Sequence, residues 1–432
     1  MTNNEKHGAF RAFRNRNYTL FFCGQSVSQI GTWMQRTAVS WVVYSLTHSA
    51  FMLGLSVFAQ QFPSFLLSLY GGIVSDRYSR YKILLVTQTA SMIQAVLLAA
   101  LVLTQHYSVW GILSLSVVLG IINAFDTPAR QPMVHDMVND KNDIANALAL
   151  NSAMVNIARL TGPALSGIIL QSFGAGVCFA LNALSFLAVL ASLLLMRLPK
   201  FTPPQSKKKV FTELAEGFSY LKQTPAIGLA LLIIMLLGLL VLPYDTLMPV
   251  FAKTVFKGNA GTFGYITSFV GLGAIAGSML LASLKKGTDL RKVLIGSIAV
   301  LGTGLILFSR INTFHVAIPF CIIIGFASLM PMTAGITIVQ TESAPHMRGR
   351  VMSYVALGYF GMLPFGSLLT GTISQKISAP ATMLLQGIIA IVISFIFWRL
   401  HKTNKKRQKD VIETEQAEAT VIASIDKPMS MS

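Results

Sequence analysis

Gly71-Gly72-Ile73-Val74-Ser75-Asp76-Arg77-Tyr78-Ser79-Arg80-Tyr81-Lys82 is a hydrophilic island between two long apolar runs. Gly72 permits close helix approach, and Asp76 suits a helix end, where a carboxylate meets backbone amides that lack partners. Arg77, Arg80 and Lys82 belong in water. The flanking runs, 50–74 and 83–104, are each long enough to cross a bilayer at roughly 20 residues per helix. The island therefore reads as a tight loop between two membrane spans, and its arginines mark the cytoplasmic side.

Outward from that loop the pattern repeats. Apolar runs lie at about 18–44, 108–125, 148–171 and 175–196, then at 226–250, 262–283, 292–309, 313–337, 352–374 and 379–399. With the first two, these make twelve. The composition agrees: 53% of the 432 residues are apolar, 12% are charged, and mean hydropathy is +0.62. A soluble domain carries about twice that charge. Backbone exposed to lipid must satisfy its own hydrogen bonds, and the runs are too long and too evenly apolar for barrel strands. The fold class expected is an all-α membrane protein with twelve transmembrane helices.

The net charge of +18 is a topology signal and does not point to nucleic acid. With both termini cytoplasmic, all but six of the 34 Lys and Arg fall on that side. Lys253, Lys257, Arg310 and Lys376 lie opposite, and Arg36 and Arg159 lie within spans. The stretch 197–225 holds Pro199, Pro203, Pro204 and Lys207 to Lys209, and it separates two blocks of six spans. The expected parts are a cytoplasmic segment 1–17, a six-helix bundle 18–196, a linker 197–225, a second bundle 226–399 and a basic, disordered tail 400–432. Within the linker, Phe211, Leu214, Phe218 and Leu221 at helical spacing predict a short helix along the interface. An offset of 210 places Gly54 on Gly264, Lys82 on Lys292 and Leu84 on Leu294, as an old duplication would. Cys23, Cys178 and Cys321 sit in apolar runs, so neither a disulfide framework nor a metal site is expected. No cleavable signal peptide is evident, so the first run is expected to stay as a span.

The loop at 72–82 resembles the G-x-x-x-D-R-x-G-R-K signature of the major facilitator superfamily, with Ser79 in place of a glycine and Tyr81 in place of a basic residue. The resemblance runs over about residues 10–400. Arg14 to Tyr18, Gly31 to Gln35, Asp126 to Gln131 and Arg348 to Val351 are similar to the branch holding bacterial siderophore exporters, of the enterobactin type, and drug exporters. It implies two pseudo-symmetric six-helix bundles that rock about a shared site. It also implies that Gly72, Asp76, Arg77 and Arg80 form a conformational latch with the other half. Gly162-Pro163-Ala164-Leu165-Ser166-Gly167 in the fifth span resembles the Gly-Pro motif of antiporters in the superfamily, with Gly162, Pro163 and Gly167 shaping the interface between halves. A proline kink eased by small residues is the other reading.

Ionisable groups inside spans point to function, since each costs roughly 2.5–3.5 kcal/mol at a span centre unless paired or wet. Three stand out: Arg36, Asp245 and Arg159. Arg36 in span 1 and Asp245 in span 7 lie at matching depth, so they are expected to pair when the outer gate is shut. Such a pair could serve proton coupling, it could be fixed and structural, or Asp245 could instead lie at the interface beside Pro243 and Pro249. Arg159, four residues before Pro163, could hold an anionic group of the substrate or satisfy carbonyls freed by the proline. Gln60, Gln61 and Asn123 add hydrogen-bonding capacity, although helix-to-helix contact is the commoner use of such residues. Trp33, Trp41, Tyr44, Tyr244, Tyr354 and Tyr359 could stack on substrate rings or simply pack.

No nucleotide-binding loop, zinc-protease or serine-hydrolase motif occurs, and no cofactor is expected. The arginine that superfamily antiporters carry in span 4 is also missing from Val109 to Phe125. The expectation is a multi-pass carrier of the bacterial inner membrane, with both termini cytoplasmic. It would export a small amphipathic compound, a siderophore or a drug, in exchange for protons, as a monomer that could meet outer-membrane export partners. An importer of small nutrients is the alternative within transport; a membrane sensor or membrane-embedded enzyme is the alternative outside it.

Overall fold

The computed structural model describes residues 10–106, 108–138, 140–198, 210–285 and 287–425. Among them there is no strand. The first bundle holds α1 Arg16–Thr47, α2 Ala50–Arg77, α3 Arg80–Leu103, α4 Val109–Met137, α5 Ile144–Phe173 and α6 Ala175–Leu195. A linker helix, α7 Val210–Gln223, leads to α8 Pro225–Val255. The second bundle continues with α9 Ala260–Ser283, α10 Leu290–Phe308, α11 Phe314–Glu342, α12 Arg348–Ile377 and α13 Ala379–Ile425. Among the described residues, eleven helices are long and apolar enough to cross a membrane by length and composition. The remaining long helix, α1, is diluted by Gln25, Gln29, Gln35 and Arg36, and it packs on α5 and α6 inside the first bundle. Outward-facing side chains such as Val86, Leu194 and Met279 are about two-thirds exposed, a surface suited to lipid rather than water. Twelve antiparallel crossings put the start of α1 and the extension of α13 on one face, the terminal face. The other is the far face.

Several helices outrun the apolar runs that mark them. The run expected at 108–125 continues to Met137, and the one at 352–374 extends to Arg348–Ile377. Apolarity measures hydrocarbon depth, and a helix continues until its hydrogen-bond ladder is capped or broken. The expected disordered tail is corrected over 400–425 for the same reason, since α13 runs on through it, and 426–432 lie outside the described residues. The segment 400–425 is rich in Lys, Glu, Gln, Arg and Ala, all strong helix formers. In the linker, Pro199, Pro203, Pro204 and Lys207 to Lys209 lie outside the described residues. The helix expected after them is present, and its end docks on the second bundle. Glu216 meets Arg350 at 2.5 Å, and the Ala344 amide donates to the Tyr220 hydroxyl at 3.1 Å.

The duplication is visible in where backbones touch. Within the first bundle, an added Cβ at Gly120 would run into the Gln60 carbonyl, and one at Gly71 into the Ala124 carbonyl, so α2 and α4 meet backbone to backbone. Gly325 against Val270 and Gly277 against Phe326 repeat this between α9 and α11. At the terminal face, Arg80 of α3 pairs with Asp136 of α4 at 3.3 Å, and Arg291 of α10 pairs with Glu342 of α11 at 2.6 Å. Each half carries the same clasp.

Candidate substrate site and far-face seal

The halves meet along two helix crossings, α2 on α12 and α5 on α9. Gly54 and Gly264, equivalent under the 210-residue offset, occupy them. Gly54 lies against Ser367 and Gly371 of α12, and Gly264 lies against Pro163 and Gly167 of α5. A Cβ on Gly264 would sit 2.6 Å from the Pro163 carbonyl, so the crossing tolerates only glycine. The motif in α5 is thus divided in use. Pro163 and Gly167 face the other half, whereas Gly162 faces α1, where a Cβ would come 2.5 Å from Trp33 Cβ.

Toward the far face the seams close further. The Tyr44 and Thr254 hydroxyls hydrogen-bond at 2.7 Å, and Gln375 Oε1 accepts from the Ala50 amide at 2.9 Å and from Ser49 Oγ at 3.1 Å. Trp41 stacks on Phe263 with ring centroids 6.1 Å apart, and Lys253 Nζ lies 5.8 Å from the Trp41 ring. Phe58 and Phe62 straddle Phe365 edge-on, at 5.5 and 5.6 Å. Lower still, the Phe65 ring fills the space above Gly361, about halfway along both helices. Among the described residues, no hydrogen bond or ion pair joins the halves on the terminal side. The two halves are thus shut against each other at the far face.

Where the seal ends, the intramembrane charges gather. Arg36 of α1 and Arg159 of α5 both approach Trp33, with guanidinium carbons 5.3 and 5.7 Å from the ring centroid. Gly162 makes this possible by letting α5 lie close beneath the tryptophan. Tyr359 of α12 lies within electrostatic reach of Arg36, Arg159 and Asp245, so all four share one neighbourhood. Asp245 is exposed on a 3₁₀ stretch, Leu242–Leu247, that interrupts α8. Pro243 and Pro249 cause the break, since neither offers an amide to the preceding turn. The helix resumes at Met248–Val250 and closes on a π turn at Phe251–Val255. Gly366 of α12 lies against the loosened carbonyls of Gly238 and Leu239. A broken helix near the middle of a carrier, with free backbone and a carboxylate, is a usual setting for substrate and coupling ions.

The expected Arg36–Asp245 ion pair is absent, although the far face is shut. Among the described residues neither arginine meets a carboxylate within 4.0 Å. Arg36 is drawn to Trp33 instead, and the 3₁₀ turn leaves Asp245 in the open space between the halves. Gln60, Gln61 and Asn123 are half-buried on α2 and α4 and make no side-chain hydrogen bond among the described residues. Of the loop residues, Asp76 and Arg77 are exposed, Gly72 has open space where a Cβ would go, and Arg80 clasps Asp136 in its own half.

Two polar clusters escaped the sequence reading. Asp126, 4% exposed, accepts from Thr87 Oγ1 at 2.9 Å and Gln88 Nε2 at 2.7 Å, and pairs with Arg130 at 3.3 Å. Asn182 donates to Gln35 at 2.7 Å, which donates to Gln94 at 3.0 Å, which donates to the Leu115 carbonyl at 3.1 Å. The i,i+4 spacing of Asp126 and Arg130 was a usable signal for the first. The second joins α1, α3, α4 and α6, and nothing local announces it.

Known proteins agree with this architecture. The staphyloferrin A transporter of Staphylococcus aureus is 27% identical over 400 residues, covering 90% of this chain and 98% of that protein. The enterobactin exporter EntS of Salmonella typhimurium is 25% identical, covering 90% and 91%. Macrolide efflux protein A of Streptococcus pyogenes is 22% identical, covering 90% and 96%. In structure, a mutant of the nucleoside transporter NupG superposes with a TM-score of 0.75 at 14% identity, covering 89% of this chain and 99% of that one. The family model for transmembrane secretion effectors matches residues 7–429. The chain is a membrane transporter and no enzyme, and it belongs to the transmembrane secretion effector family of the major facilitator superfamily.

Proposed function

We propose that this transporter exports a small amphipathic molecule, a siderophore or drug, across a bacterial inner membrane by alternating access coupled to proton entry. One observation carries the reading: Arg36, Arg159 and Asp245 stand on facing halves, in a space closed toward the far face. With the terminal face taken as cytoplasmic, in line with its excess of Lys and Arg, this is the state that loads substrate from inside. Membership in a family of secretion effectors supports export over import, as do relatives named for a siderophore transporter, a siderophore exporter and a macrolide efflux protein. Asp245 is the proton carrier in this reading, being the carboxylate that faces the space between the halves. Asp76, Arg77 and Arg80 serve as the latch at the cytoplasmic face in the opposite state. The carrier works as a monomer, each half being a complete bundle, and delivers to the outer side, where an outer-membrane partner could take over.

Deletion of the gene tests the reading. Loss of iron chelators from the medium, or new sensitivity to toxic amphiphiles, is the expected outcome; unchanged secretion and resistance would refute it. In membrane vesicles turned cytoplasmic side out, Asp245→Asn is expected to remove the response to an imposed pH gradient. Full retention of that response would take proton coupling away from Asp245.

A further inference from the structure

We infer that the substrate bound at this site is an anion carrying at least two negative groups, taken by Arg36 and Arg159 together against the face or edge of Trp33. The inference rests on the transport site proposed above and names the class of molecule it accepts. Its basis is a charge balance. Among the described residues, the intramembrane charges gathered between the halves are the guanidinium groups of Arg36 and Arg159 and the carboxylate of Asp245, and neither guanidinium meets a carboxylate within 4.0 Å.

In the state described here, open water on the terminal side can solvate these charges. Alternating access requires a later state in which the halves close on that side too and expel most of the water. A guanidinium deep in the membrane without water or partner costs roughly 2.5–3.5 kcal/mol or more. Asp245 can answer one arginine at most, and none when it carries a proton. A substrate that brings the missing charge therefore closes the carrier at lower cost than the empty return does. A cation would deepen the imbalance, and a neutral molecule would leave it unchanged.

Geometry sets the spacing. Both guanidinium carbons lie within 6 Å of one ring centroid, so the two distances together hold them to about 11 Å apart or less. Two carboxylates or phenolates on one small scaffold match that span. Trp33 offers the aromatic contact beside them, and arginine binds planar anionic groups in a two-pronged fashion that lysine cannot reproduce. Export also becomes easier for such a molecule, because each negative charge leaving a cell with an inside-negative potential of 100 mV releases about 2.3 kcal/mol.

The experiment uses two xanthene dyes of similar size and opposite charge, carboxyfluorescein and rhodamine 123, with membrane vesicles of both orientations containing the full chain. Carboxyfluorescein is expected to accumulate in vesicles turned cytoplasmic side out, and rhodamine 123 is not. Fluorescein methyl ester, in which the carboxylate is blocked and a single phenolate remains, is expected to move at least tenfold more slowly. Arg36→Gln and Arg159→Gln are each expected to lower carboxyfluorescein uptake tenfold or more. Arg159→Lys, which keeps the charge and loses the fork, is expected to retain an intermediate rate, and monodispersity in detergent shows that each variant has folded. Uptake of rhodamine 123 in preference to carboxyfluorescein, uptake of neither dye, or glutamine variants within twofold of the parent would each overturn the inference. Carboxyfluorescein entering only right-side-out vesicles would uphold the anionic class and overturn export instead.

Discussion

A single charged residue within a run of leucines and alanines cannot be accidental when each one costs kilocalories, which is why Arg36, Arg159 and Asp245 could be read directly from sequence. Their partners could not. Asp245 and Arg36 match in depth, but depth says nothing about rotation around the helix axis, and Trp33, three residues before Arg36, claims the guanidinium. Asp126 was hidden for another reason: at the end of an apolar run, a carboxylate looks like a solvated cap. In the fold it is buried, with Thr87, Gln88 and Arg130 all turned toward it. Asp126→Ala strands those donors and is expected to cost about 3 kcal/mol, the usual penalty for breaking a buried pair. The thermal midpoint of the detergent-purified protein should fall by several degrees, and Asp126→Asn, which keeps an acceptor oxygen, should lose less. An unchanged midpoint for the alanine variant would mean that water replaces the carboxylate at no cost.

Helices were legible as elements and their interruptions were not. Hydropathy marks α8 as one span, yet it passes from α to 3₁₀ to α to π within 31 residues. Pro243 and Pro249 signalled disorder of the ladder, but only the packing of Gly366 shows that the loosened carbonyls are pressed against α12. Conversely, the offset that aligned Gly54 with Gly264 was a weak match in sequence and a strong one in space, because both glycines hold the crossings between halves. Gly264 faces the opposite half rather than its own bundle, so Gly264→Val is expected to fold normally and to wedge the α5–α9 crossing apart. Vesicle transport should drop at least tenfold while expression and monodispersity stay at parental levels. Parental transport by this variant would show that the crossing is not held this tightly.

For the whole molecule, the number of crossings and the pairing of bundles followed from hydropathy and charge asymmetry, whereas the conformational state did not. Which end is shut depends on a few contacts far apart in sequence, such as Tyr44 with Thr254 and Ala50 with Gln375. Each hydrogen bond is worth about 1 kcal/mol, or about fivefold in population. Tyr44→Phe combined with Gln375→Ala removes three such bonds and is therefore expected to shift the balance toward the far-open state by about two orders of magnitude. Spin labels at His48→Cys and Lys257→Cys, in a background lacking Cys23, Cys178 and Cys321, would report it as a longer distance population. An unaltered distance distribution would assign the closure to the phenylalanine contacts alone.

The contact of Gly167 with Gly264 has one more consequence. Where two bundles touch through main chain only, there are no rotamers to reshuffle as they swivel, so friction at that point stays low throughout the cycle. On the opposite side, Phe58, Phe62 and Phe365 must unstack and restack with every turnover. The glycine crossings thus work as bearings, and the aromatic cluster on the α2–α12 side as a ratchet tooth.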